Sequence, residues 1–81
     1  MKISVHFYSY FRDLTGTPST DLHLDEGSTV GEAFDALETT FPKLRAARRC
    51  ALMAVDVDYC RNDHSLKEGD ILSLFPPVQG G

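Results

Sequence analysis

From Lys2 to Phe11 the chain alternates: Ile3, Val5, Phe7 and Phe11 share one parity, Lys2, Ser4, His6, Tyr8 and Tyr10 the other. A period of two predicts a half-buried strand, because successive side chains of an extended backbone point to opposite faces. Gly16, Thr17, Pro18 and Ser19 then carry turn chemistry. Beyond them Thr20, Leu22 and Leu24 alternate with Asp21, His23 and Asp25, which predicts a second strand paired to the first as a hairpin. The period changes after that. Val30, Ala33, Phe34, Leu37 and Phe41 fall at steps of three and four, one apolar stripe along a helix. Thr29 and Glu32 have the spacing of a capping box at its start, and Pro42 stops it. Gly31, in the first turn, costs about 1 kcal/mol against Ala in a helix and so suits a place of close packing.

Lys43 to Arg49 reads as a short helical turn or loop, and Ala51 to Tyr59, rich in apolar and β-branched residues, as a third strand. Asn62, Asp63, His64, Ser65, Glu68, Gly69 and Asp70 supply turns around a single apolar Leu66. Ile71 to Phe75 is the last strand, with Leu72 and Leu74 on one face and Ile71, Ser73 and Phe75 on the other; Pro76 and Pro77 end it. A hairpin, a helix and further strands, with no repeat or domain boundary between them, predict an α+β fold in which one sheet cradles one amphipathic helix.

Composition narrows the function. A chain of 81 residues accommodates one domain and leaves little room for a catalytic cleft of its own. No apolar run is long enough for a membrane helix and the N-terminus lacks the pattern of a signal peptide, so a cytoplasmic protein without a membrane partner is expected. The net charge of −4, spread along the chain, argues against nucleic acid and for a partner with a basic groove. Lys43, Arg45, Arg48 and Arg49 are expected as a solvated helix face. Cys50 and Cys60 lack the paired spacing of a zinc site; Cys50 is expected as a buried small hydrophobe and Cys60 as an inert strand residue. His6, His23 and His64 are not at ligand spacing, so no metal is expected. Ser4, Ser9 and Ser73 have no companions of a hydrolase triad. Asp56, Asp58, Asp63 and Asp70 do not have calcium-loop spacing and read as turn formers. The absence of a phosphate-binding glycine loop implies that any ATP is held elsewhere.

The chemistry therefore falls to the tail, Phe75-Pro76-Pro77-Val78-Gln79-Gly80-Gly81. Two prolines cannot continue a strand ladder and favour an extended, polyproline-like backbone, which sends the tail away from the domain. Val78 offers one apolar anchor, and Gly80 and Gly81 can thread a channel too narrow for any side chain. Gly-Gly alone also fits a frayed end; the preceding Pro-Pro, and a chain that stops at Gly81, favour a working terminus. A carboxylate is a poor electrophile, so such a terminus would first become an acyl-adenylate, and a sulfur donor would then displace AMP to leave a thiocarboxylate.

Three stretches carry a resemblance: Leu52-Met53-Ala54-Val55-Asp56, Asp63-His64-Ser65-Leu66-Lys67-Glu68-Gly69-Asp70, and the tail from Phe75 to Gly81. Together with Phe7 to Gly16 they are similar to the small, sulfur-carrying subunit of molybdopterin synthase, a ubiquitin-like family. Asp56 departs from the pattern, where many members have Asn. The resemblance implies a β-grasp domain over residues 1–75, its first and last strands adjacent, followed by a flexible tail over 76–81. It implies no cofactor bound by the chain itself, with sulfur carried as a thiocarboxylate on Gly81 and delivered to cyclic pyranopterin monophosphate. The alternatives are a sulfur carrier for thiamine, cysteine or tRNA thiolation, against which the Pro76-Pro77 approach argues, and a ubiquitin-like modifier that joins its terminus to lysines. The implied partners are a synthase large subunit, in a heterotetramer of two small and two large subunits, a ubiquitin-activating-like adenylyltransferase, and a sulfur donor such as a rhodanese or cysteine desulfurase. Pro76, Pro77, Val78, Gln79 and Gly80 would thread the partner's active site. Tyr8, Tyr59 and Phe75 lie on parities assigned to the exposed sheet face, and form either a partner-binding patch with Arg12 at its edge or a cover for a thin core.

Overall fold

The computed structural model describes residues 1–77. In chain order the elements are β1 (Lys2–Phe7), α1 (Tyr10–Thr15), β2 (Ser19–His23), α2 (Val30–Thr40), α3 (Leu44–Ala47), β3 (Leu52–Val55), β4 (Asp58–Tyr59) and β5 (Ile71–Phe75). The strands form one mixed sheet in the order β2-β1-β5-β3-β4. β1 pairs antiparallel with β2 and parallel with β5, so the first and last strands lie side by side as a β-grasp requires. The alternation noted for β1 becomes physical in this sheet. Ile3, Val5 and Phe7 are buried with Leu72 and Leu74 of β5 and Met53 and Val55 of β3. With Val30, Ala33, Phe34 and Leu37 of α2, and with Phe11, Leu44, Ala47 and Leu66, they make a single core.

Helix α2 starts where the capping box places it, and every orphan donor of its first turn has a partner. Thr29 Oγ1 accepts from the Glu32 N–H at 3.2 Å, and Glu32 Oε1 accepts from the Thr29 N–H at 2.9 Å. The Val30 and Gly31 N–H groups donate to the carbonyls of His64 and Asn62, at 2.9 and 2.8 Å, and the Ala33 N–H to that of Thr29. The turn-rich segment before β5 thus closes the helix start. Gly31 permits this approach, because a Cβ there would lie 3.2 Å from both Cβ and the carbonyl oxygen of Asn62.

Three boundaries depart from the periodicity. β1 ends at Phe7, not Phe11, because Ser9 turns the chain at φ 50°, ψ −121°, with the Phe11 N–H donating to the Tyr8 carbonyl at 3.0 Å. This is the geometry of the first central residue of a type II′ turn. Phe11 reaches the core from α1 instead of from a strand. The third strand is a hairpin: β3 and β4 pair antiparallel across a two-residue loop, Asp56 and Val57, with Asp56 at φ 57°. The segment after Pro42 contains α3 and a single 3₁₀ turn over Arg48–Cys50.

Arg48 is the clearest correction among the cations expected to form a solvated face. Its Nη1 donates to Asp35 Oδ1 at 2.5 Å and Glu38 Oε2 at 2.9 Å, and Nη2 donates to the Gly31 carbonyl at 3.1 Å. The guanidinium sits 4.9 Å from the centroid of the Phe34 ring. The hydrogen bond to Asp35, followed by that to Glu38 and both charges, outweighs desolvation and holds the guanidinium above its ordinary pKa. Arg48 therefore ties the 3₁₀ turn to α2.

Candidate partner face and tail exit

The sheet face away from α2 gathers the three aromatic residues that the sequence places there. Phe75 closes β5, and Tyr8 follows β1, where its N–H donates to the Leu74 carbonyl at 3.1 Å and extends the ladder by one bond. Phe7 lies opposite Leu74, so Tyr8 comes beside Phe75. The two rings stack at a centroid distance of 4.8 Å and an interplanar angle of 9°. Tyr59 of β4 meets the same Phe75 ring edge-on, 6.3 Å away at 64°. Ser73 and Ala54, small residues opposite each other in β5 and β3, are buried on this face at the foot of the cluster.

Exposure differs across the group. Tyr59 is 70% exposed and Tyr8 37%, while Phe75 is half-buried between them. Val57, at the hairpin tip beside Tyr59, is 90% exposed. In the sequence it reads as one more apolar residue of a continuous strand; only the turn at Asp56 makes it a tip. Asp56 and Asp58 flank it, also exposed. Arg12 lies on α1, exposed, and forms no ion pair among the described residues. Pro76 is half-buried beside the cluster's last ring and Pro77 is exposed. Val78, Gln79, Gly80 and Gly81, expected to do the threading and carrying, lie outside the described residues.

The remaining candidates do not assemble into a second centre. Among the described residues no group of His, Cys, Asp and Glu side chains could hold a metal ion, and no helix is long and apolar enough to cross a membrane. A groove beside α2 and α3 is lined by Asp35, Glu38, Thr39, Pro42 and Arg45, but its carboxylates face Arg45 and Arg48.

The expectation of a buried Cys50 is corrected, while that of an inert Cys60 agrees with the structure. Cys50 is exposed at the end of the 3₁₀ turn, whereas Cys60 packs against the core and burial pushes its thiol pKa up. Since the thiolate is the reactive form, a maleimide at neutral pH is expected to label Cys50 at least about tenfold faster than Cys60. Peptide mapping of the first equivalent bound checks this, and equal labelling would contradict the burial of Cys60.

A family model described as the ThiS family matches residues 5–81. The molybdopterin synthase sulfur carrier subunit of Arabidopsis thaliana is 32% identical over 81 residues, covering 100% of this chain and 84% of that protein. Small archaeal modifier protein 3 of Haloferax volcanii is 30% identical over 93 residues, covering 100% of both chains. The crystal structure of SAMP1 from Haloferax volcanii superposes with a TM-score of 0.91 at 24% identity, again covering 100% of both chains. At that identity the likeness speaks for the fold.

Proposed function

Because this chain belongs to the ThiS family, we propose that it is a sulfur carrier, the small subunit of a molybdopterin synthase, with Gly81 as the carrying residue. The observation that carries this reading is the match to the Arabidopsis sulfur carrier subunit over all 81 residues, which includes the tail. The protein contributes a loaded terminus and a docking face; catalytic acids and bases come from its partners.

In this reading the Gly81 carboxylate attacks the α-phosphorus of ATP on an activating enzyme, releasing pyrophosphate and forming an acyl-adenylate. The terminal sulfur of a persulfide on a rhodanese or cysteine desulfurase attacks the acyl carbon and displaces AMP to give an acyl disulfide. A thiol reductant then cleaves its S–S bond to leave the thiocarboxylate. The large subunit takes the tail into its active site, where the thiocarboxylate sulfur attacks cyclic pyranopterin monophosphate. Hydrolysis then returns the Gly81 carboxylate, and two such transfers supply the two sulfurs of a dithiolene. The residues support the physical requirements of this cycle. Pro76 and Pro77 stiffen the exit, two glycines remove side chains where the channel is narrowest, and the acidic surface suits a basic partner.

Intact mass of the protein purified from its own cells, without thiols or alkylating agents, tests this. A fraction heavier by one oxygen replaced with sulfur, placed at Gly81 by fragmentation, is the expected result. A terminus that stays entirely carboxylate, even with ATP, a sulfur donor and the adenylating enzyme, overturns the reading. The archaeal modifier's full-length likeness favours a second reading, in which Gly81 is joined to lysines. That alternative predicts higher-mass conjugates in extracts, which a pure carrier does not form.

A further inference from the structure

The aromatic cluster touches itself before it touches any partner. Phe75 is gripped from two directions, by the Tyr8 ring stacked at 4.8 Å and by the Tyr59 ring edge-on at 6.3 Å. Both tyrosines are anchored to the sheet, Tyr8 through its N–H to the Leu74 carbonyl and Tyr59 through its pairing with Ala54. Phe75 itself pairs with Leu52 as the final residue of the ladder. The next residue is Pro76, so Phe75 is confined to extended backbone by the proline ring, and Pro76 is confined in turn by Pro77. A ring held on two sides and a backbone held by two prolines leave this end of the sheet few conformations.

We propose that Tyr8 and Tyr59 are positioning residues that clamp the Phe75 ring and so set the direction in which the chain leaves the sheet at Pro76-Pro77. This rests on the carrier reading only in what the direction is for. A tail already aimed along its exit loses less freedom when a partner's channel takes it in, and affinity rises without a new contact. Each aromatic pair is worth a few-fold to about tenfold in an equilibrium.

The clamp is tested first on the free, full-length chain, by ¹³Cα relaxation at Pro76 and Pro77. In the wild type these positions are expected to share the order parameters of β5, about 0.85, and in Tyr8→Ala to fall below about 0.6. Tyr8→Phe retains the ring and is expected to restore the wild-type values, with the amide pattern of β1 and β5 confirming the fold in each variant. Unchanged order at Pro76 and Pro77 in both Tyr8→Ala and Tyr59→Ala overturns the clamp. The second arm measures sulfur loading of Gly81 by the adenylating enzyme with ATP and a sulfur donor. Tyr8→Ala is expected to raise the apparent KM about fivefold with kcat within twofold, and to add nothing further in a Phe75→Ala background. Additive effects would assign Tyr8 to direct contact with the enzyme and overturn a role exerted through Phe75. A wild-type chain that takes no sulfur rejects the carrier reading, while the relaxation arm still decides the clamp.

Discussion

Deleting Gly81 is expected to reduce ATP-dependent sulfur loading at least a hundredfold while leaving the thermal midpoint of the domain unchanged. The deletion does not change the chemistry of the terminus, because Gly80 then supplies a carboxylate on an equally bare residue. It changes only the reach. One residue of extended chain spans about 3.3–3.6 Å, and a misplacement near 1 Å at a reacting centre can cost about a hundredfold. The shortened tail has no easy way to recover that length. Pro76 and Pro77 begin directly after Phe75, whose place in the ladder opposite Leu52 is fixed, so making up the reach would require breaking β5 pairing. Time courses by intact mass, run with ATP, a sulfur donor and the adenylating enzyme, provide the check. Loading of the shortened chain at the wild-type rate would show that the exact terminal position does not matter and would remove the basis for assigning Gly81.

The second large effect concerns the core. Phe34→Ala is expected to lower the thermal midpoint by about 20 °C and to leave a substantial unfolded population at physiological temperature. Phe34 is fully buried at the centre of α2's apolar stripe. Truncation of a buried Phe costs about 3–5 kcal/mol. A domain of 81 residues has roughly 4–12 kcal/mol in total. The same ring also seats the Arg48 guanidinium, so the substitution loosens the tie between the 3₁₀ turn and α2 as well as opening a cavity. Circular dichroism melts give the number. A drop below about 5 °C would mean that the neighbouring side chains collapse into the space and that this core is more plastic than its burial implies.

Sequence patterning conveyed the helix and the strands β2 and β5 well, for local reasons. The stripe from Val30 to Phe41 and the Thr29–Glu32 box are defined within a few residues, and the box forms as spaced. The overrun of β1 has an equally local cause. Ser9 adopts a conformation usually assigned to glycine, so nothing in its identity marks a turn, and Phe11 happens to fall on the parity that continues the strand. Asp56 hides the β3–β4 hairpin in the same way, since the Asn-Gly or Asp-Gly signature of a two-residue loop is missing. Arg48 was illegible for a different reason: its partners Asp35 and Glu38 are 13 and 10 residues away, and no helical spacing links them to it. At the candidate site, parity puts Tyr8 and Phe75 on the outer face, but the outward place of Tyr59 depends on the loop at Asp56 and Val57, since in an unbroken strand it would share the parity of buried Met53 and Val55. Their contact depends on β1 and β5 running parallel and adjacent, a pairing between opposite ends of the chain that local periodicity does not encode.

That same pairing governs how the protein comes into being on the ribosome. Ser4 of β1 lies beside Ile71 of β5, so the strand made first waits for the strand made last. At 5–20 residues per second the 67 residues from Ser4 to Ile71 (71 − 4) take roughly 3–13 s to synthesise. Until it ends, Ile3, Val5 and Phe7 have at most the β2 side of their sheet, and a lone hairpin is marginal in water. The nascent chain is thus most open to chaperones, proteases and aggregation before β5 emerges. Because the tail is attached to β5, it is displayed only by chains that have acquired the strand needed to fold.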